Sequence, residues 1–451
     1  MNNRSLLQNT TNSEKTKMSK QAWYEDPMLK NLYLKASSHA MRGYHTAVVS
    51  PKTVFIGTNS LLDFTNHLGT YLAPDEKRVI IVVDKDLRKM AEKVAKTLSS
   101  LKGIDSRIFD DVLPEVPKNM VMKGVEVCNE YEPKVMIAIG GGSAMDMAKM
   151  IFLLYEQPNL KLTNIMQPSY LGLRKKITLL AAIPTTSGTG SEATYNAVIL
   201  DTDMDPPQKR SVPAYELCPD FVVLHTDFVK TMPQYLTMGT GMDALAHAAG
   251  AYMLVHSNYV CDIHNLKAIE IILEYLPRAV ERGNDLEARE QMLWAAYLAG
   301  IGFINTTGAG TEHTLGHAFG GAFHVHHGVS VGIFLCTAIA YLSKVTDRFI
   351  DVAKLFGVEI KGKPKDQILK ELLEKMQAFM KSIGAPISVK ENERPKISRE
   401  DYMAQMDQMV DWAFNDVVTL FQSRKLDPIH IRKLYEIAYE NKIEDLMELH
   451  Y

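Results

Sequence analysis

VMIAIGGGSAMDMAK, residues 135–149, decides the fold class. Val135–Ile139 is a continuous apolar run of the kind found in a strand buried on both faces. It runs directly into Gly140-Gly141-Gly142-Ser143, and from Ala144 the spacing becomes helical. A strand, a glycine turn and a helix in succession make the unit of a parallel, helix-covered sheet. Backbone N–H groups in such a turn, at the positive end of a helix, can approach a phosphate closely. A tight turn without a ligand is the plainer reading.

The pattern extends both ways from this unit. Val79–Val83 is a β-branched run ending at Asp84, and Leu87–Leu101 carries apolar residues at helical spacing. Ser106–Phe109 reads as a short strand, Pro117–Tyr131 as a helix with proline near its start, and Ile177–Ile183 as a further strand. This β-α-β-α-β order predicts a parallel sheet covered by helices. After about residue 230 β-branched runs become scarce. Helical segments are expected at about 239–256, 259–275, 286–304, 310–325, 329–343, 365–383, 400–420 and 428–441. The fold class is therefore an α/β domain followed by an all-α one. The expected organisation is an extension over 1–45, whose first 20 or so residues read as a disordered tail, an α/β domain over 46–225 and a helical domain over 226–451. A ligand is expected in the cleft between the two domains.

The bulk numbers set limits. The chain has 451 residues, 46% hydrophobic and 23% charged, with a formal net charge of -3. That balance gives no electrostatic reason to expect nucleic acid or an anionic membrane surface. No apolar run reaches the length of a membrane span, and the N-terminal residues lack a secretory apolar core. Cys128, Cys218, Cys261 and Cys336 lie far apart. A disulfide framework is not expected, and a reducing cytoplasm fits the chain.

Two further elements suit a nucleotide. Asp84 ends a strand, where a carboxylate can accept hydrogen bonds from a ribose; a helix N-cap is the alternative. The acid precedes the glycines, the reverse of the ordinary dinucleotide fingerprint. The loop PTTSGTGSE, residues 184–192, follows a strand and offers hydroxyls and glycines for close wrapping. A flexible polar loop is the alternative.

The histidines suggest a metal. Asp243 and His247, in GMDALAHAAGAY, stand four apart and share a helical face. His313 and His317 repeat that spacing, and His324, His326 and His327 follow, so five of the 14 histidines fall in one short segment. Asp with neutral imidazoles suits a borderline ion such as Fe(II) or Zn(II). Spacing alone does not choose among the five.

Four blocks in this order, GGGSAMDMAK, IPTTSGTGSEAT, GTGMDALAHAAGAY and GTEHTLGHAFGGAFHVHHG, resemble the iron-containing (group III) alcohol dehydrogenases, members of the dehydroquinate synthase-like superfamily. The resemblance covers roughly residues 48–442. It implies metal ligation by Asp243, His247, His313 and His327, with His317 as an active-site histidine outside the ligand set. It implies cofactor contacts at Asp84, Gly141, Gly142, Ser143, Thr185, Thr186, Thr194, Lys209 and Phe228. Asp146 and Lys149 match the family's pattern in the first turns after the glycines.

The implied activity is reversible hydride transfer between a small alcohol and a nicotinamide, giving an aldehyde or ketone. Fe(II) is the implied metal, with Zn(II) as the alternative. NAD is favoured over NADP because a carboxylate at position 84 repels a 2′-phosphate. A homodimer or larger homo-oligomer is implied. His317 is the candidate proton relay, imidazole being the side chain suited to proton exchange near neutrality.

The chain departs from the family in several places. His225-Thr226 stands for Asp-Pro, Gly250 for a common Glu, Pro114–Pro117 for Asn-Pro, and Gln422-Ser423-Arg424 for Asn-Pro-Arg. Two other functions use the same parts. One is a lyase resembling dehydroquinate synthase, with NAD and metal but no net redox change. The other is a non-catalytic metal- or nucleotide-binding protein.

Overall fold

The computed structural model describes residues 47–450 apart from 163–164, 166–167, 204–207, 255–256 and 307. The expected N-terminal extension and its tail lie outside the described residues.

Among the described residues, eight strands fall between 53 and 224: β1 Thr53–Ile56, β2 Arg78–Val83, β3 Asp105–Phe109, β4 Val135–Gly140, β5 Leu179–Pro184, β6 Asn196–Asp201, β7 Gln208–Pro213 and β8 Phe221–Leu224. Six form one sheet in the order β1-β8-β5-β4-β2-β3. All of its pairings are parallel. Central strands bury both faces, which is why they read as unbroken apolar runs. Along β2, Ile80 and Val82 enter the core on one side, while Val79, Ile81 and Val83 enter the core on the other. β4 and β5 alternate in the same way, with Met136 and Leu180 on the first side and Ile137 and Ile183 on the second.

Helices Lys118–Tyr131 and Gly142–Glu156 cover the first face, and Ser60–Tyr71 and Arg88–Lys102 the second. The periodicity marks most of these elements to within two residues. It does not reveal β1, β8 or the helix Ser60–Tyr71, all short or half-buried. It also does not reveal the antiparallel β6–β7 ribbon, which stands outside the parallel sheet.

The chain from Gln234 onward is helical, and its large core is separate from the two sheet cores. Helices Gln234–Met253, Tyr259–Glu281 and Leu286–Ile304 pack together, as do Thr311–Phe323 and His327–Leu342. The single helix expected over 400–420 is instead three pieces: Arg399–Ala404, Met406–Asn415 and a 3-10 turn Val417–Phe421. The last break has a local cause. Asp416 adopts extended backbone and its carboxylate accepts from the Val418 N–H, starting a new turn. Helical periodicity does not register a break that preserves the apolar phase.

Parallel strands place their C-terminal ends on one edge. Register pairs Val83 with Ile139 and Gly140 with Pro184, so Asp84, Gly141 and Thr185 emerge side by side. β3 leads to one side of β2, and β4 and β5 to the other. The crevice at such a reversal is where open α/β sheets bind ligands.

Candidate active site

The glycine turn is built for close approach. A Cβ on Gly140 would stand 2.5 Å from the Ala144 Cβ and 3.0 Å from an Asp84 carboxylate oxygen. Cβ atoms on Gly141 and Gly142 would meet the side chains of Thr186 and Thr189 at 3.3 and 3.1 Å. The helix Gly142–Glu156 starts with no side-chain cap, leaving its first N–H groups for a ligand such as a phosphate. Asp84 precedes a short 3-10 turn, but its side chain makes no capping hydrogen bond. The capping alternative is therefore not what occupies the carboxylate. Burial, with Asp86 nearby, raises its pKa.

The hydroxyl loop is pinned from below. Lys149, fully buried, donates to the carbonyls of Ser191, Thr194 and Asn196 at 2.7, 2.9 and 2.9 Å, and to the hydroxyls of Ser191 and Thr194 at 3.0 Å each. Burial lowers its pKa against the pull of Asp146. Asp146 in turn accepts from the Ser191 hydroxyl and the Val198 N–H.

Of the expected cofactor residues, Asp84, Gly141, Gly142, Ser143, Thr185 and Thr186 lie along this one edge, and the Thr185 N–H donates to the Gly140 carbonyl. Three are placed differently. The Thr194 hydroxyl is engaged by Lys149. Lys209 stands exposed on the β6–β7 ribbon, ion-paired with Glu115 at 2.8 Å. Phe228 is buried in the core that also holds Val83 and Ile139.

The same loop joins the sheet to the helices. A Cβ on Gly188 would fall 2.5 Å from the Thr240 carbonyl, and one on Gly190 2.7 Å from the Gly300 Cα, so only glycine admits these contacts. Thr240 lies one turn before Asp243 on the helix Gln234–Met253.

Around Asp243 the ring nitrogens converge. Its Oδ1 lies 3.2 Å from His327 Nε2, 3.6 Å from His313 Nε2 and 3.8 Å from His247 Nδ1. Potential ligand atoms of Asp243, His313 and His327 all lie within 4.8 Å of one another. His247 is outside that tight group, its ring stacked between Phe303 at 4.2 Å and His313 at 4.4 Å. Asp243 Oδ1, His247 Nδ1 and His313 Nε2 are buried and have no hydrogen-bond partner. Buried polar atoms are normally paired. Unpaired donors-to-metal pointing at one spot fit a divalent ion.

Electrostatics agree. Burial alone would raise the Asp243 pKa, but the surrounding imidazoles of His247, His327 and His313 hold it well below the usual range. Burial pushes His247 down to about 3 despite Asp243, and lowers His327 as well. His313 is the exception. Burial disfavours its charged form, yet Asp243 and Glu312 bring it up to about 9.

His317 stands beside this group. Its ring stacks on His327 at 5.3 Å and meets His313 edge-on at 5.7 Å. Its Nδ1 lies 2.7 Å from Asp416 Oδ2. His324 is exposed at the end of the helix Thr311–Phe323, and the buried Nδ1 of His326 lies against Gly239.

Sequence reasoning missed Asp416, Phe303 and Glu312. Asp416 lies 99 positions from His317, and Phe303, though only ten residues before His313, reads as one more apolar residue of a helix. Glu312 is adjacent to His313, and only its complete burial distinguishes it from an ordinary surface acid. Its carboxylate fills the space left by Gly250, one of the departures from the family pattern.

Two family models match the chain: "Iron-containing alcohol dehydrogenase" over residues 51–226, and "Fe-containing alcohol dehydrogenase family, C-terminal" over 237–439. The chain is 32% identical to an NADPH-dependent butanol dehydrogenase of Clostridium saccharobutylicum over 86% of its own length and 97% of that protein. It is 34% identical to an NAD-dependent methanol dehydrogenase of Bacillus methanolicus over 69% and 80% of the two chains. An alcohol dehydrogenase from Oenococcus oeni superimposes with a TM-score of 0.79 at 26% identity, covering 87% of this chain and all of that one.

Proposed function

The chain belongs to the iron-containing alcohol dehydrogenase family, and from that premise we propose that it interconverts a small alcohol and its aldehyde or ketone with NAD. The observation that carries the reading is the convergence of the unpaired, buried His313 and His247 ring nitrogens on the unpaired Asp243 Oδ1, one helical turn from the loop that wraps the nucleotide crevice.

Asp243, His313 and His327 hold a divalent ion, with His247 as the fourth ligand. Fe(II) is the proposed ion, with Zn(II) as the alternative the donor set also suits. When bound, the ion supplies Lewis acidity to the substrate oxygen, and the nicotinamide supplies the hydride acceptor. The chain's own residues do the rest. The Gly140–Ser143 turn and the uncapped helix start bind the phosphates. The Asp84 carboxylate holds the adenosine ribose. Lys149 fixes the loop Thr185–Thr194 against which the cofactor lies. These contacts align donor and acceptor and exclude water.

His317 moves the alcohol proton toward solvent. Asp416 accepts a hydrogen bond from its Nδ1–H, which leaves Nε2 as the proton-accepting atom. Asp416 is fit for this: burial would raise its pKa, but His317 and the Val418 N–H keep it lowered and charged.

The relatives divide between NADPH and NAD in their names. Asp84 supports NAD here. A cytoplasmic homo-oligomer completes the reading. Four buried cysteines without disulfides support a reducing compartment, and the family resemblance supports self-association. Among the described residues no helix is long and apolar enough to cross a membrane.

The test is absorbance at 340 nm with metal-loaded protein, NADH and a panel of short aldehydes and ketones, prepared anaerobically with Fe(II) and in parallel with Zn(II). Metal-dependent NADH consumption is the expected result. Bound metal and nucleotide with no net NADH change on any carbonyl would overturn the redox reading.

A further inference from the structure

We infer that Glu312 is a positioning residue for the metal centre: its buried carboxylate fixes the His313 ring and adds the second negative charge that balances a divalent ion. The inference rests on the proposal that Asp243, His313 and His327 hold that ion.

The geometry is specific. Glu312 is fully buried. Its Oε1 lies 2.9 Å from His313 Nδ1 and accepts from the Gly310 N–H at 3.0 Å. His313 presents its other nitrogen, Nε2, to Asp243. A ring that gives its Nδ1–H to a carboxylate has its Nε2 lone pair free and more basic, which is how outer partners of metal-bound histidines act.

The slot for this carboxylate is made by two glycines. A Cβ on Gly250 would fall 2.0 Å from Oε1, and one on Gly310 2.4 Å from Oε2. Two backbone segments are thus stripped of side chains where the carboxylate sits.

The charge argues the same way. Glu312 Oε2 has no hydrogen-bond partner. Among the described residues its one ion-pair partner is His313. A buried carboxylate left half-paired is costly unless positive charge stands close by. An ion on His313 Nε2 supplies that charge through the ring. With Asp243, the site then carries two negative charges for one divalent cation.

A capping role at the start of the helix Thr311–Phe323 is the competing account, since Glu312 accepts from Gly310. Glu312→Gln separates the two, because the amide oxygen still accepts from Gly310 but carries no charge. The measurement is the Zn(II) dissociation constant, by competition with a chromogenic chelator at fixed pH, beside the unfolding midpoint of the metal-free protein. Glu312→Gln should weaken Zn(II) binding by about 10–100-fold with little change in that midpoint.

Gly250→Ala, which drives a Cβ into the carboxylate, should weaken Zn(II) similarly. In a Glu312→Ala background it should add no further loss, because the space is vacant. Equal Zn(II) affinity in wild-type and Glu312→Gln proteins overturns the inference. So do additive losses from Gly250→Ala and Glu312→Ala, which also decide the matter should Glu312→Gln fail to fold. Wild-type protein that takes up neither Zn(II) nor, loaded anaerobically, Fe(II) overturns the metal reading itself, a result distinct from either.

Discussion

His317 Nδ1 lies 2.7 Å from Asp416 Oδ2 although the two residues are 99 positions apart. The pair sits at the edge of the converging ligand atoms, with the His317 ring stacked on His327. Asp416 is held in place by the Val418 N–H and by the backbone break that begins a new turn. A carboxylate there sets which imidazole nitrogen carries the proton. Asp416→Asn should therefore retain bound metal and lose turnover by about 10²-fold, the lower range for general acid–base groups. The double variant with His317→Gln should be no slower than His317→Gln alone, as expected for residues acting as one unit. Steady-state kinetics beside elemental analysis checks this, and undiminished turnover in Asp416→Asn would remove the assigned role.

The ligand set makes a second prediction. His313→Ala, His327→Ala and Asp243→Asn should each reduce metal affinity by more than about 10²-fold, beyond the range of outer-sphere partners, while the proteins remain folded. His247→Ala is the informative case. Its Nδ1 stands 3.8 Å from Asp243 Oδ1, outside the tight three-residue group. A loss of more than about 10²-fold, as for the other three and beyond the outer-sphere range, supports a fourth ligand. Wild-type metal content in His247→Ala would leave three protein ligands.

Asp84 sets the coenzyme. Its carboxylate makes no capping hydrogen bond and lies over Gly140, so it is available to a ribose and repels a 2′-phosphate. NADH should be the better reductant. Asp84→Ser should raise the KM for NADH by about 10–100-fold, the equivalent of losing hydrogen bonds to a charged acceptor, and should improve the use of NADPH. A wild-type preference for NADPH would show the assignment to be wrong.

Glu192 ties stability to pH. It is buried where the hydroxyl loop meets the helix Leu286–Ile304. Burial pushes its pKa up to about 7, against the opposing pull of its own backbone N–H and Lys149. The folded value exceeds the ordinary 4.5, so the folded protein binds the proton more tightly. The resulting stabilisation is complete below about pH 4.5 and is lost as pH rises through about 7. Glu192→Gln has no such dependence. Between pH 5 and pH 8 the wild type should lose on the order of 2–3 kcal/mol relative to Glu192→Gln, from 1.36 kcal/mol per pKa unit. Urea midpoints of the metal- and nucleotide-free proteins test it. A constant difference across that range would refute the raised pKa.

Local patterns were legible in the sequence because they depend on neighbours. The runs Val79–Val83 and Val135–Ile139 are unbroken because both sheet faces are buried, and that requirement is written residue by residue. The glycine turn and the spacing of Asp243 and His247 are equally local, and the motif blocks carry the family.

Packing decided the rest. Five histidines lie within fifteen residues of one another, and only the crossing of the helices Gln234–Met253, Thr311–Phe323 and His327–Leu342 brings His313 and His327 to Asp243. Asp416 reaches His317 from another helix pair, and Phe303 reaches His247 from a third segment. The role of Glu312 depends on space left by Gly250, some sixty residues earlier in the chain. Periodicity reports which face of an element is buried, but not which element it meets. That is set by how side-chain volumes interlock across the core, and the chemistry of this site lies in those contacts.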